Sequence, residues 1–249
     1  MASKNSDRES RNRLRTYQAR TQVNDEQRRR RKRDNLWASI AVAAIFAMAV
    51  VGQLAYFGTG PGAPQPTATA ATNGEVPDVS LAEGREWTGT ASVGEIPVEF
   101  TLDGVNAPQA AASEISLIQS GFYENNSCHR LTTSGIFVLQ CGDPNGDGTG
   151  GPGYSYGPVE NAPADNVYPA GTIAMARQGG NASSMGSQFF IVYQDSTIPA
   201  DEAGGYTVVG HITSGLTQLQ ARIALSTIAD GSTDGTPTPA ISISNVTIK

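Results

Sequence analysis

Positive charge is what this chain lacks over most of its length. Beyond residue 35 only five bases, Arg85, Arg130, Arg177, Arg222 and Lys249, stand against eighteen acids. Phosphate binding needs clustered Lys and Arg, so a nucleic-acid partner is excluded for this part. Its acidity favours solubility. Residues 36–57 lack charge of either sign, and residues 58–80 lack large apolar side chains. The first absence makes 36–57 a candidate membrane span. The second denies 58–80 the burial that offsets ordering entropy. No internal repeat is present, and cysteine is restricted to Cys128 and Cys141.

The positive charge is concentrated at the start. Residues 1–35 hold twelve of the seventeen Lys and Arg and end in Arg28-Arg29-Arg30-Arg31-Lys32-Arg33. The charge-free run Leu36–Phe57 would cross ~30 Å of hydrocarbon as a helix. Basic residues directly before it place the N-terminus in the cytoplasm and can touch anionic lipid. A cleaved secretory leader is the competing reading; the long region before the apolar run, and the length of that run, favour an uncleaved anchor. The expected organisation is a basic cytoplasmic segment 1–35, a transmembrane helix 36–57, a Pro/Gly/Ala/Thr-rich linker 58–84 and a folded domain 85–249 outside the cytoplasm. The protein would then be a single-pass protein of the cell membrane.

Within 85–249, alternation predicts strands at Trp87–Val93 and Ile96–Leu102 around a Gly94-Glu95 turn. Asn106 and Pro108 open a helix that runs through Ile118, and Leu216–Ile228 reads as a second helix on the spacing of Leu216, Leu219, Ile223 and Ala224. Gly171–Ala176, Ser187–Tyr193, Tyr206–Ile212 and Ile241–Ile248 read as further strands. At the centre stands Cys128-His129-Arg130-Leu131, a polar turn, then Ile136–Asp143, a hairpin with glycine in its loop. It holds a cation, an aromatic ring and an amide close together on a sheet. The runs Gly148-Thr149-Gly150-Gly151 and Gly186-Ser187-Gln188-Phe189-Phe190 follow.

These pieces, in this order, resemble the cyclophilin family of peptidyl-prolyl cis/trans isomerases, with the likeness running from Trp87 to Lys249. The resemblance implies a mainly β fold, a closed eight-stranded barrel capped by two helices. It also implies an enzyme that acts on proline-containing polypeptides without cofactor or metal, here assisting the folding of exported proteins. An X–Pro bond isomerises over a barrier of ~18–20 kcal/mol because twisting breaks amide resonance. A pocket for the proline ring and a donor that favours the twisted amide suffice. By resemblance Arg130 is that donor, Gln140 and Gln188 orient it and bind substrate backbone, and Phe137 and Phe190 hold the ring. His129, Val138, Ala176, Arg177, Ile198 and Tyr206 complete the substrate-binding set. The main rival is a catalytically weak cyclophilin-like module that only binds proline-containing segments or partner proteins; a purely structural membrane protein would leave the motif matches unexplained.

The departures from the family pattern lie mostly at the rim. Cys128 replaces a Phe, Val138 a Met and Arg177 an Asn, Tyr206 stands where His is frequent, and the segment 197–201 lacks the family's Trp. One residue is inserted before Phe137 and one before Gly186. Reduced affinity for cyclosporin follows as an expectation. Cys128 and Cys141, both outside the cytoplasm in this topology, would form a disulfide. Their odd number sum conflicts with the even sum of Arg130 and Gln140 in one regular ladder, so a bulge is required. A Cys128–His129 nucleophilic dyad is disfavoured, because adjacent strand residues point to opposite faces. Asp143–Gly148 matches the opening of a calcium loop, but Tyr154 stands where a bidentate Glu is needed, so no metal is expected. Asn125, Asn181 and Asn245 begin formal glycosylation motifs.

Overall fold

The computed structural model describes residues 74–249. The basic segment, the expected membrane helix and most of the expected linker lie outside these residues. Among the described residues no helix is long and apolar enough to cross a membrane. Among the described residues, regular structure is already present before the expected Arg85. Val79–Ala82 form one 3-10 turn, with the Asp78 carboxylate accepting from Ser80 N, and Ala82 is fully buried while its carbonyl accepts from Trp87 Nε1 at 2.9 Å.

Fourteen strands and two helices follow: β1 (Glu86–Val93), β2 (Ile96–Asp103), α1 (Pro108–Gln119), β3 (Asn126–Ser127), β4 (Arg130–Thr132), β5 (Val138–Cys141), β6 (Val167–Tyr168), β7 (Thr172–Met175), β8 (Phe189–Val192), β9 (Ser196–Thr197), β10 (Val208–Ser214), α2 (Leu216–Ala224), β11 (Thr227–Ile228), β12 (Asp234–Gly235), β13 (Pro237–Thr238) and β14 (Ser242–Ile248). Ten strands form one antiparallel sheet in the order β12-β4-β5-β8-β7-β10-β2-β1-β14-β3. This corrects the closed eight-stranded barrel. The sheet curls around its core, but its ladder ends at β12 and β3 and is interrupted at Cys128-His129, where the chain passes from β3 to β4.

Local chemistry explains the elements. Gly94 and Glu95 both have positive φ, which suits the tight turn between β1 and β2. In β1 the alternation puts Trp87 and Val93 inward, and Gly89 leaves room for Phe100 of the paired strand: a Cβ there would lie 2.4 Å from the ring. Helix α1 starts at Pro108 as expected, but Ala107 is the capping residue and offers no side-chain bond. Asn106 turns back to Asp103 instead, and the Glu160 carboxylate accepts from Gln109 N and Ala110 N. Helix α2 stops at Ala224, four residues short of expectation, because Thr227-Ile228 pairs with Pro237-Thr238. The alternation of 241–248 changes parity at Asn245, a left-handed residue at a bulge, so Ile241, Ile243, Val246 and Ile248 all turn to the apolar side.

Register sorts the sheet's two faces. Leu131, Leu139, Ile191 and Ile173 are successive partners across β4, β5, β8 and β7, and all lie in the main core under α1. One residue along, Arg130, Gln140, Phe190, Ala174 and Val208 form a second row across the same strands and β10. Direct partners share a face and neighbours alternate, so this row lies on the opposite face. There a smaller apolar cluster forms from Val138, Tyr168, Ala174, Phe190, Val192, Ile198 and Val208.

Candidate active site

The second row carries the site. A pocket of about 170 Å³ is lined by Arg130, Ile136, Val138, Gln140, Ala176, Arg177, Phe190, Ile198 and Tyr206. Its floor is the smaller cluster, so it is rigid and apolar on one side and polar on the other. Tyr206 meets Phe190 edge to face at 5.4 Å between ring centroids.

Arg130 stands at the head of a hydrogen-bonded chain. Its Nη1 donates to Gln140 Oε1 at 3.3 Å, Gln140 Nε2 donates to Gln188 Oε1 at 2.9 Å, and Gln188 Nε2 donates to the carbonyls of Gly148 and Gly150. On its other edge Nε and Nη2 each donate to Asp234 at 2.7 Å. That bidentate pair raises the guanidinium's pKa further and lowers that of the Asp234 carboxyl. A guanidinium has five N–H groups. Three of Arg130's are engaged, which leaves one on Nη1 and one on Nη2 without a partner among the described residues.

Arg177 gives the opposite count. Nε donates to Gly205 O, Nη1 to Gln178 O and Asp201 Oδ2, and Nη2 to Asp201 Oδ1 and Gly204 O. All five donors are used and the side chain has no exposed surface. Arg177 also lies over the Tyr206 ring, 4.8 Å from its centroid. Asp201, bound by Arg177 and by Gly180 N, is held far below the usual carboxylate range. Arg177, expected in the substrate-binding set, is therefore a strut that fixes the pocket wall and has no N–H group left to donate.

Two expected residues line neither this pocket nor the cavity adjoining it. Phe137 packs edge-on to Tyr193 at 5.9 Å, and its carbonyl accepts from Tyr193 N. Both residues precede β5, and it is Ile136 that lines the pocket beside Val138 and Gln140. His129 is buried beside Gly148, and burial lowers its pKa; its Nδ1 has no partner. Phe190, Val138, Ala176, Ile198 and Tyr206 line the pocket, while Gln188 lines the adjoining cavity that Gln140, Ala176 and Arg177 also border. Asp234 and Ile136 were missed.

The loop after β5 is built locally. Asp143 accepts from the backbone N–H groups of Asn145, Asp147 and Gly148, so its oxygens are used by the turn itself. Among the described residues no cluster of three metal-ligating side chains occurs. Gly142 has φ +89°, and a Cβ there would sit 2.2 Å from Ser187 O, so the close approach of this loop to the Ser187-Gln188 segment requires glycine. Cys128 and Cys141 are bridged, with Cα atoms 3.9 Å apart. The parity conflict resolves because β4 begins only at Arg130: Cys128 has left that ladder, and its N–H donates to Ile241 O. Closing this loop stabilises the fold by ~3 kcal/mol in the chain-entropy picture.

A curled antiparallel sheet with two helices, carrying an arginine–glutamine chain beside an apolar pocket, is the arrangement of a cyclophilin-type domain. The family described as "Cyclophilin type peptidyl-prolyl cis-trans isomerase/CLD" matches residues 89–248, and the chain belongs to it. The chain is 45% identical over 161 residues to a protein of Mycobacterium tuberculosis named a probable peptidyl-prolyl cis-trans isomerase B, covering 60% of this chain and 50% of that protein. It is 39% identical over 120 residues to peptidyl-prolyl cis-trans isomerase B of Bacillus subtilis, covering 48% of this chain and 78% of the relative. The chain thus spans about half the length of the mycobacterial relatives it matches. A crystal structure of a cyclophilin-type isomerase from Cryptosporidium parvum superposes with a TM-score of 0.55 at 24% identity, covering 66% of this chain and 98% of the other. A second structure of that protein, determined in the presence of the dipeptide Ala-Pro, gives 0.54.

Proposed function

We propose that this protein is a peptidyl-prolyl cis-trans isomerase acting on proline-containing polypeptides. The observation that carries the reading is the donor count: of the two arginines lining the apolar pocket, Arg130 retains free N–H groups and Arg177 retains none. A proline ring seated against Phe190, Val138, Ile136 and Ile198 brings its amide to Arg130. As the amide twists, resonance is lost and the prolyl nitrogen becomes a better acceptor. A donor fixed beside it stabilises the twisted state more than either planar one. The Gln140–Gln188 chain supports that donor from one side through the Arg130 Nη1 bond. The reaction transfers no proton, which agrees with a buried, neutral-leaning His129 off the pocket. The test is direct: exchange spectroscopy on a peptide containing an Ala-Pro bond should show catalysed cis/trans interconversion with the wild-type protein, and its absence would leave a binding module.

We further propose that clients are exported polypeptides met at the outer face of the cell membrane, the protein being held there by residues 36–57. The charge-free run after a basic cluster supports this. Protease added to intact spheroplasts should remove the isomerase domain and leave a short N-terminal fragment; a domain digested only after lysis would overturn the topology. Weak cyclosporin affinity belongs to the same reading, since Ile198 and Tyr206 line this side of the pocket and no Trp does.

A further inference from the structure

Asp234 lies 104 residues from Arg130 in sequence and belongs to none of the motifs of the site. It is carried by β12, a two-residue edge strand whose pairing with β4 places Asp234 opposite Thr132 and Gly235 opposite Leu131. That strand follows a short loop tied by Ser232: its N–H donates to Asp230 Oδ1, and its hydroxyl donates to Asp234 O. The carboxylate is therefore held by backbone pairing on the same strand that carries Arg130, and both its oxygens receive N–H groups of one guanidinium at 2.7 Å.

We propose that Asp234 is a positioning residue for the isomerisation, holding the Nε/Nη2 edge of Arg130 so that its remaining N–H groups stay aimed into the groove; this rests on the isomerase reading above. Gln140 alone cannot do so. It holds a single N–H at 3.3 Å, and one hydrogen bond leaves the guanidinium plane free to rotate about it, whereas a two-point contact fixes the plane. Stability does not explain the pair: Arg130 and Asp234 are 41% and 51% exposed, and ion pairs so placed contribute little to folding. Nor does the carboxylate reach the pocket, whose lining includes Arg130 but not Asp234. Its effect must pass through the arginine.

The test uses the full chain in detergent, with turnover of an Ala-Pro peptide and the ¹⁵N–Hε signal of Arg130, identified by its loss in Arg130→Lys. Misplacement of a reacting group by about 1 Å can cost on the order of a hundredfold. Asp234→Ala is accordingly expected to lower kcat by about ten- to a hundredfold with KM and melting temperature nearly unchanged, and to turn the Arg130 signal into that of a mobile, rapidly exchanging side chain. Asp234→Glu, which keeps a carboxylate, should recover part of kcat. In an Arg130→Ala background the Asp234 substitution should change nothing further. A purely structural role predicts equal losses in both backgrounds and would overturn the proposal. So would unchanged or raised turnover in Asp234→Ala, the latter meaning that the carboxylate restrains the arginine from its substrate. An inactive wild type would refute the isomerase reading; the Arg130 signal then decides this proposal alone, which fails if that signal is as ordered in Asp234→Ala as in the parent.

Discussion

Replacing Arg130 by Ala is expected to slow isomerisation by about a hundred- to a thousandfold while leaving the fold intact. A polar donor used in the transition state is typically worth ~3–4 kcal/mol. The fold should tolerate the loss because the side chain is part-exposed, and its partners Gln140 and Asp234 can turn to water or to Gln188. Peptide affinity should fall much less than rate, since the contact strengthens only on twisting. Phe190→Ala makes the contrast. It removes the floor of the pocket and a buried ring of the smaller cluster, so it should weaken peptide binding and also cost ~3–5 kcal/mol of stability. Rate and affinity measured together by exchange spectroscopy, with melting temperatures alongside, separate the two effects. An Arg130→Ala protein that isomerises as fast as the parent would refute the assigned mechanism.

The second large effect is a fall in stability as pH rises, set by a carboxyl far from the groove. Glu114 of α1 is buried in the main core, where desolvation raises its pKa to about 8. The geometry agrees. Tyr123 Oη lies 2.9 and 2.8 Å from the two Glu114 oxygens and 3.0 Å from Ser187 O. Tyr123 has one phenol proton to share among these three oxygens, so a charged Glu114 would be weakly compensated and burial favours its neutral form. The folded pKa lies above the unfolded value of about 4.5, so the contribution is fully present below pH 4.5 and is lost as pH rises through 8. At ~1.4 kcal/mol per pH unit the range between them corresponds to a loss on the order of 5 kcal/mol. Glu114→Gln should flatten this slope and be more stable than the parent at pH 8, as read by urea unfolding from pH 5 to 9. His129 runs the other way: burial lowers its pKa, so its contribution rises with pH up to about 6.5 and is common to both proteins. Parallel pH profiles for the two would show that Glu114 does not titrate in this range.

Short-range chemistry was legible in the chain itself. The Gly94-Glu95 turn, Pro108 at the start of α1, the pairing of Arg130 with Gln140 and the apolar face of α2 each depend on residues close in sequence, and periodicity reports them. Motif spacing carried the site as far as Gln188 and Phe190 because Phe190 lies on the strand paired with β5, opposite Gln140, and Gln188 directly precedes that strand. Three things depended on contacts that spacing does not encode. Phe137 lies just before β5 and packs on Tyr193, and Ile136 lines the pocket beside Val138 and Gln140, a placement that only the tertiary structure shows. Arg177 became a strut because the loop Asp201–Gly205 folds back to take four of its five donors, the fifth going to Gln178 O. Asp234 reached Arg130 because β12 pairs with β4, a contact between residues a hundred positions apart that leaves no local pattern. The order of the sheet was likewise decided by long-range pairing. The interruption at Cys128-His129, which separates the disulfide from the Arg130 ladder, is a backbone event that a count of residues between cysteines registers only as a parity conflict.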